Sequence, residues 1–388
     1  MSRRSWRRLA TPSGSNLAGP SVEVLPASGR DIAGSVWKRL ESDGADPGVF
    51  ASWQWTRTWL EHWGAAVPHC FVVVGTEEEP MGAALLTFDR HHRGPFVFRR
   101  VHIGTAGEPP HETVFVERNR LLARPGHVEQ VGTAIIRFLK TLPRIDEIAL
   151  DGFTMEDATA LIGAGVGWQL GPERCHVVDL AAAPGGDVAA LFSPGVRKEL
   201  RRAERSLGPR TVQWAHDEDS GHEILDELIS LHQARWAAKG HGGAFASQRV
   251  QRFHHALVSQ WVSCGRLALM RVTSQQGLVG VRYAFVEADR LLGYQSGWAP
   301  HRERHVSAGL VLQHAVLQDA HQRGFACWDY LAGTSELKRR LSTGDYGLMW
   351  GSCRRPRLRW TAFDMARAVR SSTGILSAHG YAGRFTRA

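Results

Sequence analysis

The sequence predicts an α/β chain built from two similar domains, each a mixed, mostly antiparallel sheet flanked by helices. Three observations carry this. Short apolar runs such as Leu291–Trp298 alternate with segments of helical periodicity such as Gly309–Arg323. The strands come as hairpins first and as a strand–loop–helix–strand unit afterwards, the order of an α/β layer. And the 388 residues exceed what one hydrophobic core usually organises, so two domains are expected.

The two halves resemble each other in order: helices, hairpin, third strand, loop, helix, strand. The hairpins FVVVGTEEEPMGAALLTFDR and LALMRVTSQQGLVGVRYAFVEADR align Gly82 with Gly280, and LKTLPRIDEIALDGF parallels DAHQRGFACWDYLAG. Such self-similarity at domain scale indicates duplication. The expected division is a disordered basic arm over 1–20, an N-terminal domain over 21–183, a C-terminal domain over 184–356 and a basic tail over 357–388.

In the first half, Val22–Leu25 reads as an edge strand. Asp31–Glu41 is a helix with Ile32, Val36, Trp37 and Leu40 at helical spacing. Ser52 caps a second helix whose Trp55, Trp59 and Trp63 share one face, a pattern that core packing explains best. Strands at Cys70–Gly75, Met81–Phe88 and Phe96–Ile103 follow, then a Gly/Pro-rich loop, a helix at Val128–Leu142, a strand at Ile145–Leu150, a short helix at Glu156–Ile162 and a strand at His176–Leu180. In the second half, Phe192–Leu207 is a basic helix with Arg197, Arg201 and Arg205 in one stripe beside Lys198 and Arg202. It reads as a solvated face, with an anion-facing groove as the sharper alternative. Helices at Ile224–Ala238 and Gln248–Val262 precede strands at Arg266–Thr273, Leu278–Glu287 and Leu291–Trp298. In the tail, Trp360, Phe363, Ala366 and Val369 form an apolar stripe, expected to dock on the second domain in preference to an anionic membrane surface.

The net charge is +9, nearly all of it arginine, since lysine occurs only at positions 38, 140, 198, 239 and 338. Such a balance favours anionic partners without defining a site. Five scattered cysteines with no CxxC argue for a reducing compartment and against a disulfide framework. No apolar run is long enough to span a bilayer, and SRRSWRR is followed by polar, turn-rich sequence in place of an export signal's apolar stretch. A cytoplasmic protein is expected. Nineteen histidines include the close sets 91/92, 254/255 and 301/305, but none has zinc-site spacing, so no metal is expected. There is no GxSxG elbow for a serine hydrolase.

The stretch from Arg290 to Leu341 concentrates the chemistry. A loop with Arg302, Arg304 and His305 feeds a helix opening at Ser307, Ala308 and Gly309. Unpaired N–H groups and the positive end of the dipole make such a start a seat for phosphate. Asp329 lies in an apolar strand between Trp328 and Tyr330, where a carboxylate needs a partner or a function. It is a candidate proton acceptor or acceptor clamp, and equally a structural acid. Lys338 is a candidate anion ligand, with Glu336 beside it and Thr334 or Ser335 as helix cap. Tyr283 and Tyr294, on adjacent strands, are candidate proton donors as well as aromatic core residues.

The second half resembles the GNAT superfamily of acetyltransferases. The resemblance rests on RKELRRAERSLG at 197–208, GYQSGWAPHRERHVSAGLVLQHAVLQDAHQRG at 293–324 and WDYLAGTSELKRRL at 328–341. More closely it is similar to proteins grouped with the cellulose-biosynthesis protein CelD, and more distantly to the FemAB peptidoglycan aminoacyltransferases. Fainter similarity runs over roughly residues 50–355. This implies tandem GNAT-like folds, with an N-acyltransferase site in the second that moves an acyl group, expected to be acetyl, from acetyl-CoA to a small-molecule or glycan amine. Polysaccharide or envelope metabolism is the implied setting.

It further implies that strand N–H groups at Gln295, Ser296 and Gly297 meet the thioester carbonyl, aided by a bulge that Gly297 would tolerate. The diphosphate would lie over Arg302, Arg304, His305, Ser307 and Gly309. Asp329, Lys338, Tyr294 and Glu336 are the implied catalytic set. The family's phosphate loop is glycine-rich, whereas RERHVSAG has glycine only at 309. An aminoacyl-tRNA donor of the FemAB kind, and a non-catalytic component of exopolysaccharide synthesis, therefore stand as alternatives.

Overall fold

The computed structural model describes residues 19–163, 167–300 and 307–372. Arg302, Arg304 and His305 lie outside them, as does most of the basic arm. The chain divides into two compact units: unit 1 comprises 1–108, 115–173 and 348–388, and unit 2 comprises 109–114 and 174–347.

Unit 1 begins with β1 (Val22–Pro26), α1 (Arg30–Ser42), α2 (Trp53–Trp63), β2 (His69–Gly75), β3 (Pro80–Arg93) and β4 (Phe96–Ile103). It continues through β5 (Leu122–Ala123), α3 (Val128–Thr141), β6 (Glu147–Thr154) and α4 (Met155–Ile162) to the first part of β7 (Trp168–Asp179). β1 to β4 pair antiparallel in sequence order, and β4 then pairs parallel with β6. α2 starts where expected, with the Ser52 hydroxyl accepting from the Trp55 N–H. Trp55, Trp59 and Trp63 are fully buried, as core packing requires. Val131, Ile135 and Leu139 of α3 cover the sheet's other apolar surface.

Unit 2 holds the rest of β7, α5 (Pro194–Leu207), β8 (Arg210–Trp214), α6 (Glu218–Ala237), α7 (Gln248–Trp261), β9 (Leu267–Ser274), β10 (Gly277–Glu287) and β11 (Arg290–Trp298). Then come α8 (Ala308–Gln322), β12 (Cys327–Ala332), α9 (Glu336–Leu341) and the start of β13 (Gly344–Arg354). β8 to β11 pair antiparallel in order, β11 pairs parallel with β12, and β12 pairs antiparallel with β7. Each unit thus repeats one pattern: a run of antiparallel joints, one parallel joint, one antiparallel joint. The expected mixed α/β architecture with two like halves is what the chain folds into.

The domain limits and several elements depart from expectation. The boundaries at 183/184 and 356/357 move because residues 175–179 of β7 pair with β12, while residues 348–354 of β13 pair with β6 of unit 1. β8 and β13 escape prediction: glycines at 344, 347 and 351 break the alternation of β13. α6 begins earlier than Ile224, at Glu218, since Asp217 and Ser220 form a capping box. The tail forms α10 (Leu358–Ser372) and docks on unit 1, not unit 2. Trp360 stacks on Phe98 at 3.8 Å, Arg93 lies over its ring, and its indole N–H donates to the Asp146 carbonyl. Among the described residues no helix is long and apolar enough to cross a membrane.

A wedge between two parallel strands as candidate active site

The parallel pairing of β11 with β12 is short. It joins Arg290 to Cys327, Leu291 to Trp328 and Leu292 to Asp329, and goes no further. Beyond that point Gly293–Trp298 keeps β10 on one side and, among the described residues, has no strand on the other. Both strands are irregular where they part. On β11 the register with β10 shifts between Tyr283 and Ala284, which leaves Tyr294 as the extra residue of a bulge. On β12 the register with β7 shifts between Asp329 and Ala332, and Leu331 stands at φ 57°, a strained value for leucine. The outcome is a wedge, lined on one side by the stretch of β11 that carries the bulge and has no further strand partner among the described residues.

The bulge sits at Tyr294 and not at Gly297, and the reason for glycine at 297 is different. A Cβ there would lie 2.8 Å from the Cβ of Leu231, so its absence lets α6 lie close on β11. Gly297→Val is expected to cost about 1–3 kcal/mol by forcing that helix away, measured by urea unfolding.

Behind the wedge, α8 opens at Ser307, whose side chain makes no cap hydrogen bond. The first N–H groups of α8 are thus left without that side-chain partner, and a Cβ on Gly309 would lie 3.6 Å from the Trp298 ring, so the start of α8 runs near that ring. Arg235 of α6 stacks on the other side of this region, its guanidinium 3.9 Å from the Trp298 ring centroid. Gln295 and Ser296 are half-buried and Gly297 is buried. The structure therefore brings together Gln295, Ser296, Gly297, Ser307 and Gly309 around the end of β11.

The implied catalytic residues are placed differently. Asp329 is fully buried, with Arg290 Nη1 at 3.1 Å, the Tyr346 hydroxyl donating at 2.7 Å and the Leu331 N–H donating at 2.8 Å. A carboxylate so engaged holds the left-handed Leu331 and locks β12, and its geometry is that of the structural acid. Lys338 donates from Nζ to the Ala332 carbonyl at 2.7 Å, at the end of β12, and its own N–H is capped by Ser335. Glu336 is exposed and pairs with Arg339 one turn on. Tyr294 is buried among His254, Tyr283 and Phe285. The Tyr283 hydroxyl is 3.2 Å from His254 Nδ1, and burial holds its phenol well above the ordinary range. Among the described residues no group of three or more His, Cys, Asp or Glu is placed to hold a metal ion.

Two side chains matter here that the sequence did not single out. His254, read only as half of a histidine pair, lies beneath the bulge. Arg282 of β10 faces the wedge across from Ser296, its direct partner in the β10–β11 ladder. One signal was available for Arg282: it is a lone charge in an otherwise apolar alternation, GLVGVRYAFV. The basic face of α5 is exposed at Lys198, Arg201, Arg202 and Arg205, while Val196, Leu200, Ala203 and Leu207 point into the core.

Residues 194–339, well under half of the chain, match the acetyltransferase (GNAT) domain family. Unit 2 thus carries a segment similar to the acetyltransferase (GNAT) domain family. No curated protein matches the sequence. Among solved structures, FemX aligns with a TM-score of 0.51 and 10% identity, covering 85% of this chain and 96% of that one. L-PGS from Bacillus licheniformis aligns at 0.48 and 13% identity, covering 85% and 96%. A tandem GNAT protein from the clavulanic acid biosynthesis pathway aligns at 0.43 and 12% identity, covering 87% and 100%. At such identities the FemX likeness speaks to fold alone.

Proposed function

We propose that unit 2 transfers an acyl group from a coenzyme A thioester to an amine, directly and without a covalent enzyme intermediate. The observation that carries this is the wedge itself: β11 loses its parallel partner after Leu292, next to a bulge at Tyr294, and α8 opens behind it with no side-chain cap from Ser307. A thioester carbonyl set against the N–H groups of β11 there becomes an oxyanion as the amine attacks. Fixed donors aimed at that oxygen stabilise it, usually the largest single contribution to such a reaction. The diphosphate then takes the N–H groups at Ser307–Gly309, with Arg302 and Arg304 as further ligands on the sequence pattern. Lys338, at the end of β12, stays a candidate for an anionic group of acceptor or cofactor. Acetyl as the acyl group, a small-molecule or glycan amine as acceptor, and polysaccharide or envelope metabolism in the manner of CelD-like proteins complete the proposal, with the cytoplasm as its compartment.

Calorimetric titration with acetyl-CoA and free coenzyme A tests it. Micromolar binding is expected, weakened about tenfold or more in Arg304→Ala, which corresponds to about 1.4 kcal/mol. No heat at low salt and high ligand would sink the coenzyme A donor.

The second reading is a charged-tRNA donor. The exposed basic face of α5 favours it, and RNA binding with a steep salt dependence would be its mark. One feature weighs against it. An aminoacyl ester brings an α-ammonium into the wedge, where Arg282 is already an uncompensated cation.

A further inference from the structure

Arg282 is half-buried, with its guanidinium stacked over Trp328, 4.9 Å from the ring centroid, and no hydrogen bond or ion pair to it is seen among the described residues. Its Nε is buried without an acceptor. Burial without a counter-charge pulls its pKa down to about 10. Two further donors next to it are in the same condition. The Trp328 indole N–H is buried with no acceptor, and so is the hydroxyl of Tyr330, whose ring lies 6.3 Å from that of Trp328. Burial raises the Tyr330 phenol, and the nearby Arg282 charge works against that rise.

Buried donors nearly always find acceptors, and a buried cation nearly always finds an anion. Here three donors meet and none has its partner. The backbone leaves room for the group: a Cβ on Gly293 would lie 2.9 Å from Arg282 Nη2 and 2.8 Å from the Trp328 ring, so glycine is what allows the guanidinium to reach the root of the wedge. Gly293 is the residue just before the bulge, beside the strand edge assigned to the thioester carbonyl. Ser296, opposite Arg282 in the ladder, adds a hydroxyl on the same sheet face.

We propose that Arg282, Trp328 and Tyr330 form a carboxylate-binding subsite at the root of the β11–β12 wedge, so that the ligand bound there carries a carboxylate. A carboxylate supplies the missing acceptors, and it matches the planar fork of the guanidinium in charge and in shape. Two sources can bring it. One is an acyl group with a terminal carboxylate, of the dicarboxylic thioester type. The other is the carboxylate of an amino-acid acceptor. The placing of this group beside the acyl carbonyl rests on the acyl-transfer reading above; the carboxylate subsite itself does not.

The test uses the full chain, wild type beside Arg282→Gln and Arg282→Lys. The side-chain Nε–H signal of Arg282, assigned as the arginine resonance missing from both variants, is followed by NMR while succinate is added, with chloride at matched ionic strength as control. A saturable shift with succinate and none with chloride is expected; no saturable shift would overturn the subsite whatever the protein does with coenzyme A. Calorimetry then separates the sources, with a carboxyalkyl thioether of coenzyme A set against the plain alkyl thioether. At least a tenfold preference for the carboxyalkyl form, abolished in Arg282→Gln, assigns the carboxylate to the acyl group. Equal binding of the two thioethers, with the Arg282 signal shifted by a free amino acid, assigns it to the acceptor. Binding of both thioethers with no Arg282 response to either carboxylate source would leave the acyl-transfer reading standing and remove this one. Failure of both thioethers to bind, with the succinate shift intact, would do the reverse. Arg282→Lys keeps the charge but not the fork, and is expected to bring the preference down to about threefold or less. Circular dichroism of each variant shows whether a loss is local.

Discussion

Asp329→Ala destabilises unit 2 by about 3–5 kcal/mol, the expected cost of removing one partner from a buried, hydrogen-bonded charge pair. The side chain has no exposure and three donors converge on it: Arg290, Tyr346 and the backbone N–H of Leu331. Alanine leaves the Arg290 charge without its carboxylate and removes the acceptor of the Leu331 N–H, next to that residue's left-handed backbone. Asp329→Asn keeps an oxygen for the Leu331 N–H and is expected to cost less, about 1–3 kcal/mol. Urea unfolding of the two variants measures both figures. A cost below about 1 kcal/mol for alanine, together with lost acyl transfer in a fully folded Asn variant, would return Asp329 to the role of proton acceptor.

The case of Asp329 shows where the sequence is informative and where it stops. The order of elements was legible because hydrophobic periodicity is local: the apolar stripe of α3 and the two hairpins need no tertiary context. Ser52 and Ser335 as caps were legible for the same reason. The strand and helix that flank the wedge were legible, since Gln295, Ser296 and Gly297 do fall on β11 and Ser307 does precede α8. The partners of Asp329 were not, because Arg290 and Tyr346 lie 39 and 17 residues away and only the fold brings them together. The position of the bulge was missed for a related reason. Gly297 has the residue type that tolerates one, yet its glycine serves the approach of α6, and the bulge falls on Tyr294. Arg282 went unread because an arginine in a strand is ordinarily a solvent-facing residue; its lack of an acid partner is a property of the folded chain.

In unit 1, Glu108→Gln stabilises the protein at pH 8 by up to about 3 kcal/mol and leaves it nearly unchanged at pH 4.5. Glu108 is buried and accepts a hydrogen bond from the Trp59 indole at 2.6 Å. Burial pushes its carboxyl from the ordinary 4.5 up to about 7, against the pull of the Trp59 bond and of His102. The sign follows from proton uptake. Between these two values the folded chain holds a proton that the unfolded chain has released, so stability falls as pH rises through this window and levels off above it. Glutamine keeps the oxygen that Trp59 needs and removes the titration.

The neighbours of Glu108 act in separable ways. His102 is buried, with Asp151 Oδ2 2.5 Å from its Nδ1, and the carboxylates of Asp151 and Asp89 raise its pKa. Its stabilising contribution is full below the unfolded imidazole value and fades as pH rises through the folded one, the same direction as Glu108. Asp89, paired twice with Arg100, is held far below the carboxylate range, so its contribution fades only in acid, as pH falls through that low value. The difference between wild type and Glu108→Gln cancels the His102 and Asp89 contributions to the extent that the charge network is otherwise unchanged, leaving the slope due to Glu108. Urea unfolding of both proteins at pH 5, 6, 7 and 8, each at roughly 0.1 M salt where surface charges are largely screened, gives that slope directly. Parallel curves for the two proteins would mean that Glu108 is ionised in the fold, and that water or His102 offsets its burial.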